Sequence, residues 1–270
     1  YLYNVVNTGL MSNQGVELSI HGTPVQAGGF SWESSLVLAS NKNKVKKLLD
    51  DVKYYRLTSA PFKVEIGAME GEEYGVIMGT NFVYDDKGNK VINEDGTYAA
   101  TDGNVNIGSI YPDFTGGWTN TFRFKNFDLS VDMMGVYGNE VYRNWDSSAY
   151  AQFNYRTGHL NRWHGEGTSN WDPILDPSRS VNLEASSYYV EDGSFFRIRN
   201  IELGYTFDPR LLNRIKLQSL RIYGNVQNPK TWSRNTGYTP EVGGSATAFG
   251  VDGGGYPMPV VYTLGFNLSF

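Results

Sequence analysis

Seven stretches of the chain alternate apolar and polar side chains with a period of two, as β-strands do when their two faces meet different surroundings. In "NQGVELSIHG" Val16, Leu18 and Ile20 fall on one side, with Glu17, Ser19 and His21 opposite. "GGFSWESSLVLAS" sets Phe30, Trp32, Leu36 and Leu38 against Ser31, Glu33 and Ser35. "GGWTNTFRFK" sets Trp118, Phe122 and Phe124 against Thr119, Thr121 and Arg123, and "FDLSVDMMG" sets Phe127, Leu129, Val131 and Met133 against Asp128, Ser130 and Asp132. In "SLRIYGNVQ" the apolar set is Leu220, Ile222 and Val226; in "VVYTLGFNLSF" it is Tyr262, Leu264, Phe266, Leu268 and Phe270, against Thr263, Gly265, Asn267 and Ser269. "SFFRIRNIELGYTF" changes parity midway: Phe196 and Ile198 are out of step with Ile201, Leu203 and Tyr205. A bulge near Arg199 and Asn200 reconciles them.

The connections alternate in length. "GTPVQAGG", "KN" and "DPRLLNRIKLQS" are short, whereas about 41–113, 139–193 and 228–258 are long. Long loops are rare in compact soluble domains, but tight turns at one rim and long loops at the other describe an outer-membrane barrel. With the last strand ending at the periplasmic rim, Trp118 falls near the outer rim and Trp32 near the inner one, as lipid-facing aromatic belts require. Either Trp alone suits core packing equally well; the two together favour the barrel. Seven strands are an odd number, and an open edge in lipid leaves backbone groups unsatisfied. The fold class is therefore all-β, about seven antiparallel strands from a larger transmembrane barrel.

Composition agrees with strands rather than helices. The 270 residues include 19 Tyr and 31 Gly, and no apolar run approaches the roughly 18–20 residues of a membrane helix. A net charge of −5 argues against nucleic acid as a partner. The chain contains no Cys, which removes disulfides and thiolate metal sites.

Little points to catalysis. His21, His159 and His164 lack metal-ligand spacing, no nucleophile and base can be placed, and no cofactor is implied. "YDDKGNKVINEDGTY" reads as a hairpin in which 82–84 pairs with 90–92, and "NKNKVKKLL" as a solvated basic stretch with one or two helical turns. The long connections are richer: Trp145, Tyr155, Arg162, Trp163, Trp171 and Trp232 carry aromatic faces and polar edges suited to oligosaccharides, peptides or a protein partner.

Several stretches together resemble the C-terminal part of the SusC/RagA-type TonB-dependent outer-membrane transporters. They are "NQGVELSI", "SNKNKVKKL", "IGSIYPDFTGGWTNTFRFKNFDLSVDM", "YYVEDGSFFRIRNIELGYTF", "GNVQNPKTWSRNTGYTPEV" and the terminal strand ending in Phe270. One departure is Thr239 in "GYTPE", where the family pattern has an acid. The resemblance implies a barrel of about 22 strands in which residues 1–270 form the C-terminal segment, with the plug and the TonB-contacting segment absent from this chain. It also implies a multi-pass outer-membrane importer of large nutrients, glycan or peptide. Its partners would be a SusD-like lipoprotein, the TonB complex and outer-membrane lipid. Trp32, Trp118, Phe122, Tyr262, Leu264, Phe266 and Leu268 would then face lipid, and Phe270 would be the assembly signal. The competing expectation is a soluble, extracellular β-rich module binding glycan or protein, with its apolar faces packed as a sandwich.

Overall fold

The computed structural model describes residues 9–49, 51–57, 64–147, 155–169, 172–176, 178, 184–243 and 250–270. Its strands are β1 (Gly9–Ala27), β2 (Phe30–Leu48), β3 (Tyr54–Arg56), β4 (Glu65–Met69), β5 (Tyr74–Gly79), β6 (Val105–Ser109) and β7 (Phe114–Phe124). They continue as β8 (Phe127–Tyr137), β9 (Glu140–Arg143), β10 (Val190–Asp192), β11 (Phe195–Thr206), β12 (Ser219–Ser233), β13 (Val251–Asp252) and β14 (Val261–Ser269). Seven of them form one antiparallel sheet in the order β1-β2-β7-β8-β11-β12-β14. This is chain order, with every neighbour reached by a turn or by one of the long connections.

The turns at one end are tight. Gly28 and Gly29 join β1 to β2, both with positive φ (60° and 80°), the combination a type I′ turn demands. Lys125 and Asn126 join β7 to β8. Between β11 and β12, a helical turn α2 (Pro209–Leu212) begins where the Asp208 side chain accepts from the Arg210 amide, satisfying an otherwise orphaned N–H.

Register sorts the two faces row by row. Trp32, Phe122, Leu129, Leu203, Gly224 and Leu264 are successive partners across six strands. The neighbouring row runs Glu33, Thr121, Ser130, Glu202, Asn225 and Thr263. The bulge between Ile198 and Asn200 sets Phe196 and Ile198 on the same face as Ile201 and Leu203, as the parity change in the sequence required. Tyr262 is 77% and Leu264 83% exposed. On the polar face, Arg221 bridges Asp128 and Glu202, and Arg123 pairs with Glu33.

The packed core lies in the long connections. Val64, Ile66, Ile77, Phe82, Tyr98, Ile110, Tyr142, Tyr188 and Tyr189 form one buried cluster. Two small sheets surround it: β3-β4-β5-β6, and β10-β9-β13. The second ties two connections together, because β13 runs parallel to β9. The first connection joins the second where Thr80 donates its amide to the Ala185 carbonyl, 2.8 Å, and its own carbonyl accepts from Ser187, 2.9 Å. The three connections thus make a single cap at one end of the wall.

Three local expectations change. The basic stretch 41–49 continues β2 instead of turning helically: Asn43 and Val45 are buried while Lys42, Lys44 and Lys46 are exposed. Val45 exchanges backbone hydrogen bonds with Glu72 and Gly71, and this contact with the cap overrides helix propensity. Trp232 lies in β12 on the apolar face, paired with Phe196, because β12 continues to Ser233, through the first residues of the expected 228–258 connection. Trp118 sits nearer the middle of β7 than its end, opposite Leu36 and Met133. Its indole N–H donates to Ser34 Oγ at 2.9 Å, as Trp32 does to Asn120 Oδ1. The expected hairpin 82–92 forms, with Tyr84 bridging Lys90.

Candidate functional site

The cap holds most of the described candidates, and it uses them unequally. After β9 the chain makes one helical turn, α1 (Asn144–Ser147), which carries Trp145 outward and Asp146 inward. Asp146 is 1% exposed and gathers three cationic or protonatable groups: Arg156 at 2.7 Å, Arg143 at 3.1 Å and His159 at 3.3 Å. The Arg143 contact is close as a pair of charges but out of line as a hydrogen bond. Burial works to raise the Asp146 pKa, but His159, Arg143 and Arg156 beside it outweigh burial and hold the carboxyl below its usual range. Arg143 also reaches Glu191 at 2.6 Å. Lys90 lies over the Phe82 ring, 4.0 Å from its centroid, and burial pushes its pKa down to about 7 against the pull of Asp172.

Trp145 is a structural member of this network. Its indole N–H donates to Asp252 at 3.0 Å, and the Arg156 guanidinium lies 4.3 Å from its ring centroid. Trp163 is different: it lines an open cleft of about 960 Å³ with Asn93, Glu94, Glu166, Thr168 and Ser169. Its position is set from two sides. Trp163 donates its amide to the Asp172 carbonyl at 2.8 Å, and its ring lies where a side chain on Gly96 (φ 83°) would stand. Arg162 is half-buried beside it and reaches the His159 carbonyl at 3.4 Å. Tyr155 is exposed and meets His159 edge-on. Trp171 lies outside the described residues. Trp232 stands apart from this group, on the wall. Among the described residues, no three His, Asp or Glu side chains converge as metal ligands.

Sequence reasoning missed two features. The Asp146 network joins residues with no periodic spacing, so no local signal marks it. The other is a clasp below the cap: buried Arg197 on the polar face of β11 pairs with Glu241 and donates from Nε to Thr231 Oγ1 at 2.8 Å. It pins "GYTPE" to the wall. Thr239 Oγ1 accepts from the Glu241 amide at 3.2 Å, the turn-capping bond that an aspartate would make there.

No protein-family model matches the chain. It is 30% identical over 98% of its length to TonB-dependent receptor P3 of Formosa agariphila, and 29% identical over 98% to TonB-dependent receptor SusC of Bacteroides thetaiotaomicron. The chain is a homologue of TonB-dependent receptors, SusC among them. It covers 29% and 27% of the length of those two receptors, so it spans under a third of the relatives it matches. The fold agrees: the solved RagAB peptide transporter superposes with a TM-score of 0.74 over 98% of this chain and 30% of that one, at 22% identity. The seven-stranded sheet thus corresponds to the C-terminal part of a TonB-dependent receptor barrel, and these relatives are receptors and transporters, not enzymes.

Proposed function

We propose that residues 1–270 form the last seven strands and outer loops of a TonB-dependent outer-membrane importer of large nutrients, oligosaccharide or peptide. In this reading a SusD-like surface lipoprotein meets the cap, and the TonB complex engages another part of the protein. The observation that carries it is the wall: one face carries exposed apolar side chains on all seven strands, the other is polar, and all long connections gather at one end. Water has no access to hydrocarbon, so such a face belongs in lipid and such a rim outside it. Trp32, Trp118, Phe122, Tyr262, Leu264, Phe266 and Leu268 are the lipid contacts in this reading. Relatives named SusC and RagAB peptide transporter support a nutrient cargo.

Within the cap we assign substrate or lid contact to Trp163, Arg162 and Tyr155. Trp145 supports the loop from inside. One stacked aromatic is worth about 1 kcal/mol, so the test combines Trp163→Ala with Tyr155→Ala in the full-length transporter. At matched surface abundance, uptake or lipoprotein association falls several-fold. Full retention of both would move the contact elsewhere.

Assembly supplies a second prediction. Phe270 is 88% exposed at the end of β14's apolar parity. Deleting it lowers the outer-membrane level of the full-length protein while synthesis stays constant, read by quantitative blotting of membrane fractions. Unchanged surface level would remove Phe270 from the assembly step.

A further inference from the structure

The apolar face of the wall is not smooth. One row of register partners runs Leu38, Gly116, Gly135, Phe196 and Trp232 across five strands. Two of its members, Gly116 and Gly135, carry no side chain, so the row has a gap two strands wide. Leu38 closes one side; Phe196 and Trp232, ring centroids 5.8 Å apart, close the other. Trp118 and Met133 occupy the next row toward the tight turns, and the stacked Phe114 and Tyr137, 5.0 Å apart, occupy the row toward the cap. The result is a groove of about 500 Å³ walled by hydrocarbon and aromatic rings.

Two cations flank its Trp232 wall. Lys230 pairs in register with Ile198 on the apolar face, yet its ammonium rides up over the Trp232 ring, 5.8 Å from the centroid. Among the described residues, no carboxylate lies within ion-pair distance of it. Arg234, two residues beyond Trp232, lines the capward end of the groove. Its guanidinium is 3.1 Å from Asp192, with the side chain 77% exposed, so it retains donors for another anion. A lysine on a hydrocarbon-facing surface is costly unless it reaches the interface and an anion. An apolar groove with Arg234 at its capward end and Lys230 beside its Trp232 wall has the chemistry of a site for a phosphate-bearing lipid. A symmetric contact with a second copy would set the same cations from both copies on one interface, which fits less well.

We propose that this groove holds an acyl chain of an anionic, phosphate-bearing lipid of the outer leaflet, with the phosphate between Lys230 and Arg234. This rests on the barrel reading above. The test uses the full-length transporter, delipidated in detergent and titrated with lipid A or its dephosphorylated form, with bound lipid counted by native mass spectrometry. The native protein retains lipid A about tenfold more tightly than the dephosphorylated form. The double variant K230Q/R234Q loses that preference. Gly135→Leu fills the groove and weakens both forms; it has room, because a Cβ at Gly135 meets Phe196 at an ordinary 3.6 Å. Equal retention of both lipids by the native protein, or an unchanged preference in the double variant, would overturn the proposal. A dimer that dissociates in K230Q/R234Q with lipid A retention unchanged would assign the groove to a second copy instead. Failure of the barrel reading looks different: the native protein would stay monodisperse without detergent.

Discussion

Leu264→Arg lowers the stability of the full-length barrel by roughly 2–4 kcal/mol if the residue stands near the bilayer midplane, whereas Thr263→Arg costs much less. The two residues are adjacent in β14 and equally close to the chain terminus, so local propensity does not separate them. Register does. Leu264 lies opposite Gly224 in the row that holds Leu203 and Phe122, and Thr263 opposite Asn225 in the row that holds Glu202 and Ser130. A guanidinium at position 264 must leave hydrocarbon by snorkelling or thin the bilayer. At position 263 it meets the carboxylate-bearing polar face. Urea unfolding in phospholipid vesicles, with tryptophan emission as the signal, measures both. Equal costs at the two positions would mean that the faces do not divide lipid from lumen.

Asp146→Ala loosens the cap by about 3–5 kcal/mol, the cost of breaking a buried ion pair and leaving its partners behind. Arg143, whose side chain is 12% exposed, keeps Glu191, but Arg156 and His159 lose the carboxylate they share. Trp145 is affected indirectly, because Arg156 stacks on it. Hydrogen exchange should quicken around Tyr142 and Tyr189 while β14 and β12 stay protected, since the wall's hydrogen bonds are independent of the cap. Uniform exchange across cap and wall, or no change, would remove Asp146 from this role. The same carboxylate sets an acid limit. Its pKa is depressed in the folded state, so its contribution is complete above the ordinary carboxylate value of about 4 and is lost as pH falls through the lower folded value.

The wall was legible in the sequence because its determinant is local. A strand turns its side chains to alternate faces, so Phe127, Leu129 and Val131 declare their side without reference to any partner. Even the Arg199 bulge was readable, since one extra residue in a strand shifts the parity of everything after it, as happens between Ile198 and Ile201. The ends of strands were less legible. Lys42, Lys44 and Lys46 alternate with Asn43 and Val45, but the reason this basic run stays extended is its docking on Glu72 and Gly71, residues far along the chain. Trp232 was misplaced in a loop because the irregularity at Asn228, with φ 51°, interrupts the pattern without ending the strand.

The cap was the part that only tertiary structure decided. Its core joins Tyr98 from the first long connection to Tyr142 and Tyr189 from the second, and the two connections carry no shared period. Asp146, Arg156 and His159 meet through a helical turn and a loop, not through spacing. Composition alone could not rank four loop tryptophans. The fold ranks the three it describes: it locks Trp145 on Asp252, leaves Trp163 open to a cleft and returns Trp232 to the wall. Two glycines, Gly116 and Gly135, read in sequence as plain interruptions of two strands. Only when register sets them side by side do they open a groove, because a gap on a sheet depends on which residues stand opposite, and that is a property of pairing and not of order along the chain.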